Sequence, residues 1–157
     1  MAEQDIHYLT QEGYEQLEKR LRYLTSVRRA EVAERLRSAT QEGGELMENH
    51  EYEDAKNEQG MIEGEILRLE VVLNHARVVT DPQRDVVGVG SKVTVQDKAT
   101  KEKENYQVVG SAEANPREGK ISLESPVGRA LMGHKKGETV SIAAPDGEIV
   151  FKILSIQ

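Results

Sequence analysis

Residues 42–58 read EGGELMENHEYEDAKNE and carry seven acids, Glu42, Glu45, Glu48, Glu51, Glu53, Asp54 and Glu58, against one base, Lys56. Carboxylate oxygens are hard ligands. Mg2+ takes one or two of them and fills its other positions with water or substrate phosphates. Acids at the end of a projecting element cannot enclose an ion alone. They can complete a site that belongs to another protein, where a second metal activates water and steadies the leaving oxygen of a phosphodiester. The plainer reading is a solvated turn whose acids favour the start of the helix that follows.

Little else has the spacing for chemistry. His7, His50, His75 and His134 lie far apart, and His50-Glu51 does not extend to a zinc HExxH motif. Gly88-Val89-Gly90 lacks the following helix and Lys of a phosphate loop. Single serines have no His partner in view. With no cysteine, neither a disulfide scaffold nor a thiolate metal site can form.

Two long helical patterns flank the acidic stretch. Thr10 is a good N-cap with Gln11 and Glu12 in the first turn, Leu9 and Tyr14 fit a hydrophobic staple, and residues 1–7 are expected to fray. Apolar residues recur at Tyr14, Leu17, Leu21 and Leu24 in steps of three and four, a coiled-coil seam. The seam stumbles at Arg28-Arg29 and resumes at Val32, Leu36 and Ala39. The return arm runs Tyr52, Ala55, Gln59, Ile62, Ile66, Leu69, Leu73 and Ala76 in an unbroken heptad rhythm. One narrow stripe on a charged helix must pair with something, and the Gly43-Gly44 link makes the two arms antiparallel neighbours. Intermolecular coiled-coil pairing is the alternative. Gly60 and Gly64 suggest close approach of the arms.

Beyond Ala76 the period shortens to two, after a polar linker, 81–85, that contains Pro82. Strands are expected at 92–96, 106–109, 120–123, 139–142 and 148–154, with a hairpin turn at Pro145-Asp146-Gly147. Ser125 as N-cap, Pro126 at the first helical position and Gly133 at the end frame one short helix. The expected architecture is α+β: an antiparallel helical hairpin over 1–80 with its tip near 43–52, then a small antiparallel sheet domain over 81–157.

The net charge of −7 is unevenly placed. Residues 1–80 hold 17 acids and 10 bases, and residues 81–157 hold 11 of each. That balance argues against the whole chain coating nucleic acid by neutralising its backbone. One Phe and no Trp leave little aromatic material for base stacking. No apolar run approaches about 20 residues, so no membrane span is expected. No secretory signal is visible, and a cytoplasmic protein is expected.

The residues resemble the GreA/GreB bacterial transcript-cleavage factors over nearly the whole chain. Residues 44–49 (GELMEN) with Glu51-Tyr52 are similar to the family's GDLxEN-x-EY signature, and 55–60 (AKNEQG) continue it. Residues 24–31 (LTSVRRAE) resemble the basic pair that follows the first seam. Residues 125–133 (SPVGRALMG) with 136–140 (KGETV) resemble the C-terminal motif. Two motifs in the right order make the resemblance specific, and GreA is the nearer of the two names.

The resemblance implies a transcription elongation factor, not itself an enzyme. Its FKBP-like C-terminal domain docks on RNA polymerase at the rim of the secondary channel through Ser125, Pro126, Arg129, Leu131, Met132 and Gly133. Its coiled coil enters the channel. Glu45 and Glu48 help hold a catalytic Mg2+ shared with the polymerase, which then cleaves its own backtracked transcript. Arg28, Arg29 and Lys56 are candidates for attracting the nascent RNA 3′ segment. A monomer is expected, with no membrane partner. Three features depart from the pattern: Glu45 stands where Asp is favoured, Gly43-Gly44 adds a residue, and Thr40-Gln41 replaces a frequent arginine. A channel-occupying inhibitor without cleavage is therefore the alternative. A prolyl isomerase reading fits poorly, because Tyr106 and Phe151 are the only aromatics in the second half.

Overall fold

The computed structural model describes residues 5–42, 50–80 and 85–157. The first arm starts at its cap. Thr10 precedes α1 (Gln11–Tyr23), and its Oγ1 accepts the Gly13 N–H at 3.0 Å, satisfying one of the orphan donors of the helix. α1 continues through a wide π-helical turn (Leu24–Arg28), closed by the Arg29 N–H on the Leu24 carbonyl, into α2 (Arg29–Glu42). This turn explains the stumble in the seam. Leu24 and Val32 are eight residues apart, one more than a heptad, yet both are buried. A turn one residue wider absorbs the surplus and keeps both side chains inside.

α3 (His50–Asn74) returns along the first arm. Cross-arm partners run in opposite directions, Arg20 with Glu65 but Arg35 with Glu58, so the arms are antiparallel. Leu24, Val32, Ile62, Ile66 and Leu69 form the core, with Leu17, Leu21 and Leu36 packed on it. The heptad reading fails at the far end. Val72 is buried where Leu73 was expected, and Ala76 belongs to a strand. Gly60 and Gly64 are exposed, and a Cβ on either would meet nothing within 4 Å, so close approach of the arms is not their reason.

Two forked ion pairs cross the arms. Arg29 reaches both oxygens of Glu63 at 2.8 Å, and Arg20 reaches those of Glu65 at 2.8 and 3.3 Å. Each arginine hydrogen bond holds its partner carboxyl below the ordinary value of 4.5. Solvent screens exposed pairs of this kind, so the seam supplies the strength.

The chain divides into two compact units, Glu15–Asn74 and Met1–Tyr14 with His75–Gln157. That differs from the expected boundary at residue 80, for a specific reason. β1 (His7–Thr10) and β2 (Ala76–Val79) pair in parallel, His7 with Ala76 through Thr10 with Val79. Four-residue strands beside helices have too little period to show in sequence. His7, expected to fray, is inside the first of them.

The larger sheet has five strands, β3 (Lys92–Asp97), β4 (Lys103–Val109), β5 (Lys120–Ser122), β6 (Thr139–Ala144) and β7 (Gly147–Ile156), in the order β5-β4-β3-β7-β6. It is mixed, not purely antiparallel as expected, because β4 and β5 run parallel. The connection between them includes a 3₁₀ turn (Pro116–Glu118), and its length lets the chain come back in the same direction. Pro145-Asp146 closes the β6–β7 hairpin, with Gly147 at φ 131°. α4 (Pro126–Leu131) has the expected cap: Ser125 Oγ accepts the Gly128 N–H at 3.1 Å. Leu131 joins Val95, Val108, Ile142, Phe151 and Ile153 in the core.

Two outcomes follow for the hairpin. Gly60→Ala and Gly64→Ala should each stabilise it by about 0.5–1 kcal/mol, because a helical Ala loses less entropy and nothing blocks its methyl. A denaturation midpoint that drops instead would restore the close-approach reading. Glu63 and Glu65 are depressed in the folded state, so their contribution is present above the unfolded carboxyl value and is lost as pH falls through the folded one. Thermal stability should therefore decline between about pH 5 and pH 3, and a Glu63→Gln/Glu65→Gln chain should show a shallower decline in melting scans over that window.

Candidate functional site

α2 stops at Glu42 and α3 starts at His50, so the acidic stretch spans the link between antiparallel arms and the first turns of α3. Glu45 and Glu48, with Gly43-Gly44, lie outside the described residues. On the described side, Glu51 and Glu53 occupy the first turn of α3, where the helix dipole favours acids. His50 Nδ1 lies 4.0 Å from Glu53. Lys56 is exposed, with Nζ 6.0 Å from the Tyr52 ring centroid. An exposed cation–π contact is worth only about 0.5–1 kcal/mol, so the ammonium remains available to an anion. Among the described residues, no group of three His, Asp or Glu side chains is placed to hold a metal.

The arginine pair has a different occupation from the one expected. Arg28 is half-buried and bonds both Glu31 on its own arm and Glu58 on the other. Arg35 bonds the same Glu58. Arg29 is committed to Glu63 on both of its oxygens. A cation that attracts RNA from a distance must keep its field unneutralised, and these two do not. Their geometry is that of a clasp between arms. Arg35 does not stand out in the sequence, and Glu58 does so only as one of the seven acids of the stretch. The signal was there, since Arg28 and Arg35 are one heptad apart and face the same way.

The C-terminal motif separates into support and surface. Leu131 is 0% exposed and can touch no partner. Ser125 is spent internally, donating to the Ser122 carbonyl at 2.6 Å and capping Gly128. Gly128 itself admits no Cβ, because the Ser122 carbonyl occupies the space. Pro126, Arg129 and Gly133 are exposed, and Met132 is half-buried against the core. Gly133 turns the chain at φ 80° and donates to the Val87 carbonyl at 2.9 Å. Lys135 and Lys136, also exposed, follow it in the chain. His134 Nδ1 lies 2.6 Å from Glu138, and this hydrogen bond holds the Glu138 carboxyl below its ordinary value. With Glu138 engaged, the loop offers three cations, a proline and a thioether. That combination suits an acidic surface with an apolar centre.

Comparison with known proteins agrees with both halves. A family model described as the N-terminal domain of transcription elongation factors matches residues 7–78, and one described as the C-terminal part of GreA/GreB matches residues 82–157. Transcription elongation factor GreA of Acetivibrio thermocellus is 51% identical over 151 residues, covering 95% of this chain and 94% of the relative. The GreA of Syntrophomonas wolfei is 46% identical over 159 residues, covering 100% and 99%. Among solved structures, GreA factor homolog 1 of Thermus thermophilus is 33% identical, with 98% and 99% coverage and a TM-score of 0.46. No helix among the described residues is long and apolar enough to cross a membrane. With both domains matched in order and near-complete relatives at about half identity, the chain belongs to the GreA/GreB family of transcription elongation factors.

Proposed function

We propose that the chain rescues stalled transcription by entering the secondary channel of RNA polymerase and bringing the carboxylates of Glu45 and Glu48 to the polymerase's catalytic Mg2+ site. The observation that carries this reading is the antiparallel hairpin. In sequence, the most acidic stretch of the chain joins these two paired helices and runs into the start of the second. Two carboxylates are a suitable oxygen donor set for Mg2+, which keeps most of its positions for water and phosphate. When bound, the ion supplies an activated water and charge stabilisation for phosphodiester cleavage. The chain's own residues deliver and orient. Pro126, Arg129, Met132, Gly133 and the neighbouring Lys135 and Lys136 dock on the polymerase. Lys56 steers the extruded RNA 3′ end, while Arg28, Arg29 and Arg35 keep the arms in register. The chain acts as a monomer, and the hydrolytic activity belongs to the polymerase.

The second reading, a channel-occupying inhibitor, is favoured by one feature. Glu45 is a methylene longer than the Asp of the signature and follows a glycine doublet, and metal geometry responds to displacements of about 1 Å.

One assay separates the readings. Purified polymerase stalled in a backtracked complex is given the chain and Mg2+, and transcript length and elongation rate are followed. The parent chain should shorten the transcripts. Glu45→Ala and Glu48→Ala should each lower the cleavage rate by about a hundredfold while leaving polymerase binding nearly intact. Slowed elongation without shortening would establish the inhibitor, and loss of binding with unchanged cleavage per bound complex would remove the tip acids from the mechanism.

A further inference from the structure

Glu113 lies on the loop after β4 and belongs to neither the tip nor the docking loop. Its Oε2 accepts the Thr10 backbone N–H at 3.1 Å, and its Oε1 accepts the Thr10 hydroxyl at 2.6 Å. Thr10 Oγ1 in turn accepts the Gly13 N–H at 3.0 Å. Thr10 is the last residue of β1 and the cap of α1. A carboxylate 103 residues away in sequence thus fastens the residue at which strand becomes arm. It also places negative charge at the positive end of the helix dipole.

Sterics agree. Gly13 is buried, and a Cβ built there would overlap the Glu113 carboxylate. Unlike Gly60 and Gly64, this helical glycine has a packing reason. The loop that carries Glu113 is itself held down. A Cβ on Gly110 would run into the Tyr8 carbonyl of β1, and the Glu113 N–H donates to the Gly110 carbonyl at 3.1 Å. Residues 8, 10, 13, 110 and 113 all fall within the compact unit that contains the docking loop, and α1 continues out of that unit into the hairpin.

We propose that Glu113 is a positioning residue: through Thr10 it latches the root of the arm helix to the docking unit, so that binding by that unit is converted into delivery of the acids in the link. The proposal rests on the reading above for what is delivered. The latch itself is a property of the isolated chain.

The test compares Glu113→Ala, Glu113→Gln and Gly13→Ala in the full chain. Amide exchange in the free protein reads the latch directly. Protection of the Thr10 and Gly13 N–H groups should be lost with Ala at 113 and largely kept with Gln, whose amide can still serve Thr10. On stalled complexes, Glu113→Ala should lower the effect at saturating factor by about tenfold or more, with the half-saturating concentration within about twofold of the parent. Glu113→Gln should stay close to the parent. Gly13→Ala should mimic Glu113→Ala, since its methyl expels the carboxylate while improving helix propensity. The double variant should lose no more than either single one. The effect scored is transcript shortening, or slowed elongation if the parent proves an inhibitor, so failure of the cleavage reading leaves this comparison intact. A latch broken by exchange with an undiminished saturating effect overturns the proposal. So does Glu113→Gln falling as far as Ala, or additive losses in the double variant.

Discussion

Glu58 receives Arg28 and Arg35, one heptad apart on the facing arm, beside the level where the apolar seam is interrupted. The apolar layers cannot fix the register alone. Ile62, Ile66 and Leu69 follow steps of four and three while Leu24 and Val32 stand eight apart, and a slip of one heptad would still set apolar residues against apolar residues along much of the seam. A slip would, however, strand a half-buried carboxylate and a half-buried guanidinium. An unsatisfied group of that kind costs about 1–3 kcal/mol, whereas the exposed pairs Arg29–Glu63 and Arg20–Glu65 are screened by solvent. The polar layer therefore adds little strength but removes the degeneracy.

The π-helical turn serves the same end. A strict heptad continued past Leu24 would place Arg28, Glu31 and Arg35 in the seam. The surplus residue lets Arg28 reach the polar layer at Glu58, lets Arg29 fork onto Glu63 outside, and returns Val32 to the core. What looks like a fault in the pattern is the device that puts a charged layer into an apolar seam. Its cost is a locally wider helix, with the Thr25 and Ser26 hydroxyls bonding back to carbonyls in the preceding turn.

Much of this was legible in the sequence, and the remainder was not, for physical reasons. Both arms, the Ser125 cap, the Pro145-Asp146 turn and all five strands of the larger sheet announced themselves, because each rests on a period or a local hydrogen bond. β1 and β2 did not. Four residues each, they exist only through partners about 69 positions apart. The parallel direction of β5 is set by the course of the loop before it, which no alternation encodes. Leu131 and Ser125 lay in a recognised motif, but the motif could not tell surface from support. Only burial separates Leu131 from Arg129. The clasp of Glu58 and the latch of Glu113 are likewise tertiary facts. Gly60 and Gly64 invited a packing explanation that Gly13, unremarked in the sequence, turns out to deserve.

The distribution of acids follows from these assignments. Glu58, Glu63 and Glu65 are spent on arginines of the first arm, and Glu34 is spent on Arg37. Each such pair is neutral at a distance. The arms therefore contribute little field, and the excess of the first half is concentrated where bases are absent. Between Arg37 and Arg68 the sequence has one base, Lys56. Fields of this size reach about 8 Å at physiological ionic strength, so the acidity is felt only by what comes close. Uncompensated carboxylates repel RNA phosphates. The stretch that includes Glu45 and Glu48 is thus poorly suited to hold a transcript alone. The charge plan accords with the proposed factor that completes a partner's site, and the exposed Lys56 is the one Lys or Arg in the sequence between Arg37 and Arg68.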